Sequence, residues 1–482
     1  MSVNEKYEAV IGLEVHAQLL TSSKLFSGDR ASYSTEPNKN ISAITLAHPG
    51  TLPRLNKKVI EFAVRLGIAL NCDIEPNNYF ARKNYFYPDL PKGYQISQHT
   101  MPICRNGFVT ITLPYGEKKV ALNRIHMEED AGKSLHDMDN NYSFIDLNRA
   151  GIPLLEIVTE PVMHSAEEAF AFVSELRRIV RYVGICDGNM EEGSLRCDAN
   201  ISIREAKDKR LGTKVEVKNL NSIRNVRRAI EFEIKRLIEI TEKGEDVKQE
   251  TRGFDAQENT TFSLRSKEEA DDYRYFPDPD LSPVFVSPDM IERVRNSMPK
   301  LPAELQKKYM DELHLSFYDA SVICEDKDTS DYFESVIIDC KNYKAVVNWI
   351  LGPIKSYQNE HNLRIADLEM STKSLAELID LIDEGRVSFS IASSKIFPLL
   401  VKNSSSSPFE IASQMNLLQE NSASALNSWV EEVIQAMPEK VNEYRKGKKG
   451  LIALFAGEVK KISKGKADMA VVTKLLSEKL NQ

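Results

Sequence analysis

A chain of 482 residues exceeds what one hydrophobic core usually holds, which predicts two to four domains. Its 42% hydrophobic and 28% charged residues, with 21 Gly and 20 Pro, exclude a disordered, collagen-like or coiled-coil chain. The 63 Lys plus Arg against 71 Asp plus Glu give a formal net charge of −8, which excludes a nucleic-acid binder that is basic throughout but not a local basic patch.

The sequence contains no apolar run of the roughly 18 residues that a membrane span requires. Its first residues, Met-Ser-Val-Asn-Glu-Lys-Tyr-Glu, have neither an apolar signal core nor an Arg-rich presequence. The six cysteines (Cys72, Cys104, Cys186, Cys197, Cys324, Cys340) are scattered and form no C-x-x-C pair, so reduced thiols are expected, with neither a disulfide framework nor a zinc knuckle. The expectation is a soluble, cytoplasmic protein with no membrane partner.

In chain order, the first element with chemical content is Gly12-Leu13-Glu14-Val15-His16-Ala17-Gln18-Leu19. Its strict alternation predicts a strand with Glu14, His16 and Gln18 on one face. A carboxylate and an imidazole two residues apart suit a shared divalent cation, or simply a solvent-facing polar face. The device recurs. Arg124, His126 and Glu128 share a face of the run 122–128, which leads into Glu129 and Asp130. Arg196, Asp198, Asn200, Ser202 and Arg204 share one in 196–204, and Lys214, Glu216 and Lys218 share one in 214–218. Solvated sheets usually show Thr, Ser and Lys outward. Carboxylates mixed with Arg and His are the inventory of a metal–phosphate site.

Ser165-Ala166-Glu167-Glu168 is a capping box ahead of Phe170, Val173, Leu176, Val180 and Val183, which predicts a helix on the back of the sheet. Gly188 to Ser194 has the outer glycines of a phosphate loop but lacks its Gly-Lys-Ser/Thr ending, and G-x-S-x-G and H-E-x-x-H are also missing. A second helix is expected from about 222 to 243, ending at Gly244; its Arg224, Arg227, Arg228, Lys235 and Arg236 serve as scaffold or meet RNA phosphates. From about Pro299 the grammar is helical, as in the run 375–382 that stops at Gly385, and Asn403-Ser-Ser-Ser-Ser-Pro408 marks a boundary.

The last 44 residues hold 11 Lys/Arg against 5 Asp/Glu, net +6, which leaves 52 against 66, net −14, over the first 438. Residues 444–449 with Lys460, Lys461, Lys464 and Lys466 form either a track for a phosphate backbone or a solvated helix face. In the acidic part, Glu14, Glu128, Glu129, Asp198 and Glu191 or Glu192 are oxygen donors with no competing cysteine cluster. Their hardness favours Mg²⁺ over zinc, with Arg82, Lys83, Arg124 and Arg196 as compensating charge.

Six strings then carry a resemblance: Val10-Ile-Gly-Leu-Glu14-Val-His16, Arg82-Lys-Asn-Tyr-Phe-Tyr-Pro-Asp89, His126-Met-Glu-Glu-Asp130-Ala-Gly-Lys133, Asp146-Leu-Asn-Arg149, Met190-Glu-Glu-Gly-Ser-Leu-Arg-Cys-Asp198-Ala-Asn200 and Asp271-Asp-Tyr-Arg-Tyr-Phe276-Pro. In order, and with the tail motifs at 446–448 and 463–465, they resemble the B subunits of the aspartyl/glutamyl-tRNA(Asn/Gln) amidotransferases over essentially the whole chain. The resemblance implies an α+β fold. A catalytic antiparallel-sheet domain similar to the glutamine-synthetase fold (1–292) would precede a helical domain (293–405) and a basic, tRNA-binding helical tail (406–482). It implies ATP- and Mg²⁺-dependent phosphorylation of the side-chain carboxylate of Glu-tRNA(Gln) or Asp-tRNA(Asn). Of the partner A and C subunits, the first, an amidase, would supply ammonia to form the amide, and the second, a small protein, would brace the assembly.

By resemblance, Glu14, His16, Glu129 and Asp198 form the metal site. Lys83, Glu128, Glu191 and Glu192 take catalytic roles, and Tyr85, Arg124, Arg196 and Asn200 bind ATP and the aminoacyl end. Many relatives carry two cysteine pairs suited to a structural zinc. Aligning Lys24-Leu25-Phe26 and Pro49-Gly50 puts Ser27, Asp29, Ser42 and Thr45 in their places, so no zinc is expected here and 27–45 is either ordered by packing or mobile. Two competing readings remain: a non-catalytic module that presents tRNA, and a stand-alone ligase acting on free glutamate.

Overall fold

The computed structural model describes residues 6–135, 141–266, 273–402, 406–419, 423–463 and 466–481. Part of the polar run at 403–405, the Asp271–Asp272 pair and the tail residues Lys464 and Gly465 lie outside them. The chain divides into two compact units, Met1–Pro302 and Ala303–Gln482. No disulfide joins any of the six cysteines, all of which lie among the described residues. Among the described residues no helix is long and apolar enough to cross a membrane.

The first unit is built on strands β1 (Tyr7–Gln18), β2 (Ala81–Asn84), β3 (Tyr94–Ser97), β4 (Gly116–Glu129), β5 (Pro153–Thr159), β6 (Leu195–Glu205), β7 (Val215–Lys218), β8 (Glu250–Asp255) and β9 (Thr260–Ser266). A ten-stranded sheet runs β9-β8-β7-β6-β1-β5-β4 and continues through Cys104–Arg105 to Asp73–Ile74, with Phe108–Leu113 also on β4. Strands β2 and β3 pair with Phe276–Pro277 in a separate small sheet. The large sheet is antiparallel except at one place: β7 and β8 run parallel. Parallel neighbours need a long crossover, and helix α3 (Ile223–Glu242) supplies it.

Period-2 alternation divides the sheet into two faces. Leu13, Val15 and Ala17 of β1, Ile125 and Met127 of β4, Leu155 and Ile157 of β5, and Cys197, Ala199 and Ile201 of β6 enter one hydrophobic cluster. Helices α1 (Lys57–Ala69), α2 (Ala166–Tyr182) and α3 join it through Val64, Phe172, Leu176, Val226 and Ile230. At about 1.5–3 kcal/mol per fully buried aliphatic or aromatic side chain, this cluster dominates the unit's stability. The opposite face carries Glu14, His16, Arg124, His126, Arg196 and Asp198.

The caps follow the sequence. Ser165 accepts the Glu168 N–H at 3.2 Å to start α2, and Ser222 accepts the Asn225 N–H at 3.1 Å to start α3. Gly244, at φ 73°, stands just past the end of α3, a conformation that favours glycine. One expected core residue is corrected: Phe170 is 40% exposed, and Phe172 takes the buried place because it shares the helix face of Ala169, Val173 and Leu176.

The second unit is helical. The helix Thr372–Asp383 begins at the Ser371 cap, and Gly385 follows it at φ 67°. Buried Trp349 meets Phe389 and Phe397 at ring distances of 5.3 and 5.7 Å, the first edge-on and the second tilted. The last helices, Ala423–Ala436, Pro438–Arg445, Ile452–Ile462 and Met469–Asn481, close on a small core of their own around Val430, Val433, Phe455, Val459 and Leu476.

Candidate active site

Sheet register places the polar face in rows. Arg196 of β6 stands opposite His16 of β1, His16 opposite Glu156 of β5, and Glu156 opposite His126 of β4. The next row runs Asp198, Glu14, Val158, Arg124, and the row on the other side sets Gln18, Leu154 and Glu128 in line. Four strands thus deliver side chains to one patch without any loop having to position them.

Glu156 is the hub of the central row. Its Oε2 lies 3.3 Å from His16 Nε2 and 3.2 Å from His126 Nε2. Glu128 adds Oε1 at 3.9 Å from His16 and Oε2 at 3.6 Å from His126, and Ser97 of β3 donates to Glu128 at 3.1 Å. Burial alone would lower the His126 pKa, but the two carboxylates outweigh it and raise it to about 9. The same balance raises His16. The imidazoles in turn hold Glu156 well below the ordinary carboxylate range, against its burial.

Ligand atoms of His16, Glu128 and Glu156 lie within 4.8 Å of one another. Two carboxylates and one imidazole, two strands apart at most, fit a divalent cation that keeps several waters or phosphate oxygens. Donors for an anion stand on the same face. His126 Nδ1 and the Nε atoms of Arg124 and Arg196 are buried with no protein partner, a state that ligands or ordered water normally relieve.

The residues expected in the metal site do not all converge there. His16 does. Glu14 sits in the neighbouring row, where Asn200 donates to it at 2.9 Å, and its pKa is raised by burial and by the charge of Glu156. Asp198 is paired with Lys218 at 2.5 Å. Glu129 lies on the other side of β4, because consecutive strand residues point to opposite faces; it is 2% exposed, bound by Lys92 at 2.5 Å and by the Ile96 N–H at 2.9 Å. Of the four, only His16 lies in the cluster, where Glu128 and Glu156 stand beside it.

Lys83 links the cluster to an open cavity of 990 Å³ lined by Lys83, Tyr85, Phe86, Tyr87, Tyr273 and Phe276 among others. Its ammonium stands 4.9 Å from the Tyr273 ring centre. Burial would lower its pKa, yet the Glu128 and Glu156 charges raise it overall. Tyr85 donates its hydroxyl to Gln95 at 3.2 Å, and its pKa is raised chiefly by burial. Arg196 is anchored on Asp130 at 2.9 Å, with Gln18 donating to the same carboxylate at 2.8 Å. Glu191 and Glu192 stand apart: both are exposed, their N–H groups capped by Asn189, and they line other cavities.

Sequence reasoning missed Glu156, His99 and Tyr275. Glu156 is the single acid in Pro-Leu-Leu-Glu-Ile-Val-Thr. A lone carboxylate in an apolar strand needs buried partners to be tolerated, and that was its signal. His99 stacks on Tyr275 at 4.1 Å, its pKa lowered by burial and by nearby Arg124 and His126. It carries no strand pattern to reveal it.

Residues 9–292 match the profile of the GatB/GatE catalytic domain, and residues 331–480 that of the GatB domain. Three curated relatives are each named as the B subunit of aspartyl/glutamyl-tRNA(Asn/Gln) amidotransferase. The protein of Trichlorobacter lovleyi is 48% identical over 98% of this chain and 99% of its own. That of Geotalea uraniireducens is 48% identical over 99% and 100%, and that of Thermodesulfovibrio yellowstonii 46% identical over 99% and 100%. The polar-faced sheet lies wholly within the first matched stretch, apart from the opening residues of β1, and the chain belongs to the family of aspartyl/glutamyl-tRNA(Asn/Gln) amidotransferase B subunits.

Proposed function

We propose that the chain acts as the B subunit of a tRNA-dependent amidotransferase, converting Glu-tRNA(Gln), Asp-tRNA(Asn) or both to the amides in an ATP-dependent, glutamine-hydrolysing ligase reaction. The observation that carries this reading is the largely buried His16–Glu156–His126–Glu128 cluster, with His16 half-buried, joined through Lys83 to an aromatic-lined cavity. A carboxylate is a poor electrophile because its leaving group would be oxide. Phosphorylation by ATP supplies a leaving group that ammonia displaces. Such transfers need alignment and charge neutralisation more than covalent help from protein.

His16, Glu128 and Glu156 would hold Mg²⁺, which when bound neutralises phosphate charge. Glu14 with Asn200, and Asp198 with Lys218, support that group from the next row. Arg124, Arg196 and His126 offer their unpartnered donors to phosphate oxygens. Lys83 neutralises the acyl carboxylate at the mouth, and Tyr85 with its aromatic neighbours excludes water and stacks the ligand. Glu191 and Glu192, exposed on their own loop apart from the cluster, would accept the proton that ammonia loses when the aminoacyl end reaches that loop.

The same reading includes the A and C subunits as partners, a cytoplasmic setting, a likeness of the first unit to the glutamine-synthetase fold, and a three-part division into 1–292, 293–405 and 406–482 with tRNA on the basic tail. Amide formation on each mischarged tRNA, with ATP and glutamine and the partner proteins, tests it. Glu14→Ala and Asp198→Ala should both depress the rate; unchanged rates would sink the polar-face site. Removal of 408–482 separates catalyst from tRNA-presenting module: a catalyst loses tRNA affinity but keeps slow carboxylate activation. Turnover of free glutamate without tRNA would instead support a stand-alone ligase.

A further inference from the structure

The loop expected to hold zinc in relatives has a different centre here. Asp29 Oδ2 accepts hydrogen bonds from the hydroxyls of Ser27 at 3.0 Å and Ser42 at 2.8 Å, and also from Thr45. These are the four positions that the resemblance sets against the relatives' cysteine pairs, and they meet at one oxygen atom. They do not fit zinc: the set offers no thiolate or imidazole, and each hydroxyl already has its hydrogen directed at the carboxylate.

The backbone around them forms two knuckles. Ser23 bridges Arg30, and the Lys24 N–H donates to the Asp29 carbonyl at 2.9 Å. The second knuckle is turned by the Leu46 N–H to Ser42 carbonyl bond at 3.0 Å and the His48 N–H to Ala43 carbonyl bond at 2.9 Å. Asp29 belongs to the first, Ser42 and Thr45 to the second, so its carboxylate is the tie between segments more than ten residues apart in sequence.

We propose that Asp29 is the metal-free organiser of residues 27–45, a carboxylate–hydroxyl knot standing in place of a zinc tetrathiolate. Charge-assisted O–H···O⁻ bonds are among the stronger hydrogen bonds in proteins, and three on one oxygen add directionality that packing alone lacks. The substitution also keeps the sign of the local charge. Zinc with four thiolates is a doubly negative centre, and Asp29 is negative too. That matters to Lys24, which is 0% exposed, donates to the Leu147 carbonyl at 3.2 Å, and has the Asp29 charge beside it. A neutral knot would leave Lys24 with less compensation.

The inference does not depend on the catalytic reading, and its test uses the purified full-length chain. Metal content is measured by mass spectrometry, and the rate of tryptic cleavage after Arg30, inside the loop, is measured with and without a strong chelator. The expected result is no stoichiometric metal and a cleavage rate the chelator leaves unchanged. Asp29→Ala should raise the rate roughly tenfold through local opening, and Ser42→Ala with Thr45→Val by a smaller factor. Replacing all four positions by cysteine should restore protection only with zinc and make it chelator-sensitive. Bound metal in the natural chain, chelator-induced cleavage, or an Asp29→Ala loop as resistant as the natural one would each overturn the proposal.

Discussion

The two charged regions of the chain use charge in opposite ways. On the sheet, Glu156, Glu128 and His126 are buried and His16 is half-buried, all locked to each other by strand register. In the tail, Lys446, Lys448, Lys460 and Lys461 are exposed, and those that pair do so locally, as Lys448 with Glu443 at 3.0 Å and Lys461 with Glu458 at 2.5 Å. Position carries the first region and summed charge the second. A single substitution should therefore be severe on the sheet and mild in the tail.

Glu156→Ala is the sharpest test of that contrast. It removes the common partner of one buried and one half-buried imidazole, so amidation in the assembled enzyme should fall by on the order of a hundredfold or more. Stability should fall by roughly 3 kcal/mol, because breaking a buried pair strands the remaining charge. Urea unfolding of the variant separates the two effects. Next comes the neighbouring pair of acids. Glu128→Gln should raise the Mg²⁺ concentration needed for half-maximal rate by about tenfold or more, whereas Glu129→Gln, on the opposite face, should leave that concentration unchanged while loosening Lys92. Equal shifts in both variants would refute the assignment of faces.

Lys24 offers a smaller effect with a defined sign. Burial lowers its pKa to about 8, opposed by the charges of Asp29, Glu129 and Asp146 and aided by that of Lys92. The unfolded chain then holds more protons than the folded one between about pH 8 and the ordinary lysine value. Its contribution to stability is fully present above that ordinary value and is lost as pH falls through 8. Relative to the natural chain, Lys24→Met should be the more stable at pH 7 by up to about 3 kcal/mol, and the gap should close above about pH 11. A gap that does not change with pH would show that Lys24 is charged throughout. Smallest is the tail: Lys446→Ala should weaken tRNA binding only a few-fold and reduce the salt slope by about one, with the Mg²⁺ dependence untouched.

Much of this arrangement is legible in the residues. Strict alternation in 12–19, 122–128 and 196–204 determines which residues share a face, and the structure has Glu14, His16, Arg124, His126, Glu128, Arg196 and Asp198 there. What alternation cannot supply is which strands are neighbours. Glu14 and Asp198 therefore look like partners of His16, whereas β5 brings Glu156 between β1 and β4. A doubly buried strand reads as a continuous apolar run, so β5 shows no polar face to notice. Glu129 departs from expectation for a simpler reason: it shares a motif with Glu128, but strand parity turns it to the other face. The parallel β7–β8 pair depends on a long-range crossover that no local signal announces, although the Ser222 cap and Gly244 mark the ends of α3 to within a residue or so.

A site written across four neighbouring strands has an unusual tolerance profile toward insertion and deletion. Losing one residue before Glu156 within β5 would bring an aliphatic side chain to the place of the carboxylate and turn the acid into the apolar core. The exposed turns between strands, such as 206–214 between β6 and β7, can lengthen or shorten without moving any member of the row. Length variation among descendants of this chain should therefore be confined to the connections, while β1, β4, β5 and β6 keep their residue counts from Glu14 to Gln18, Arg124 to Glu128, Leu154 to Val158 and Arg196 to Asn200.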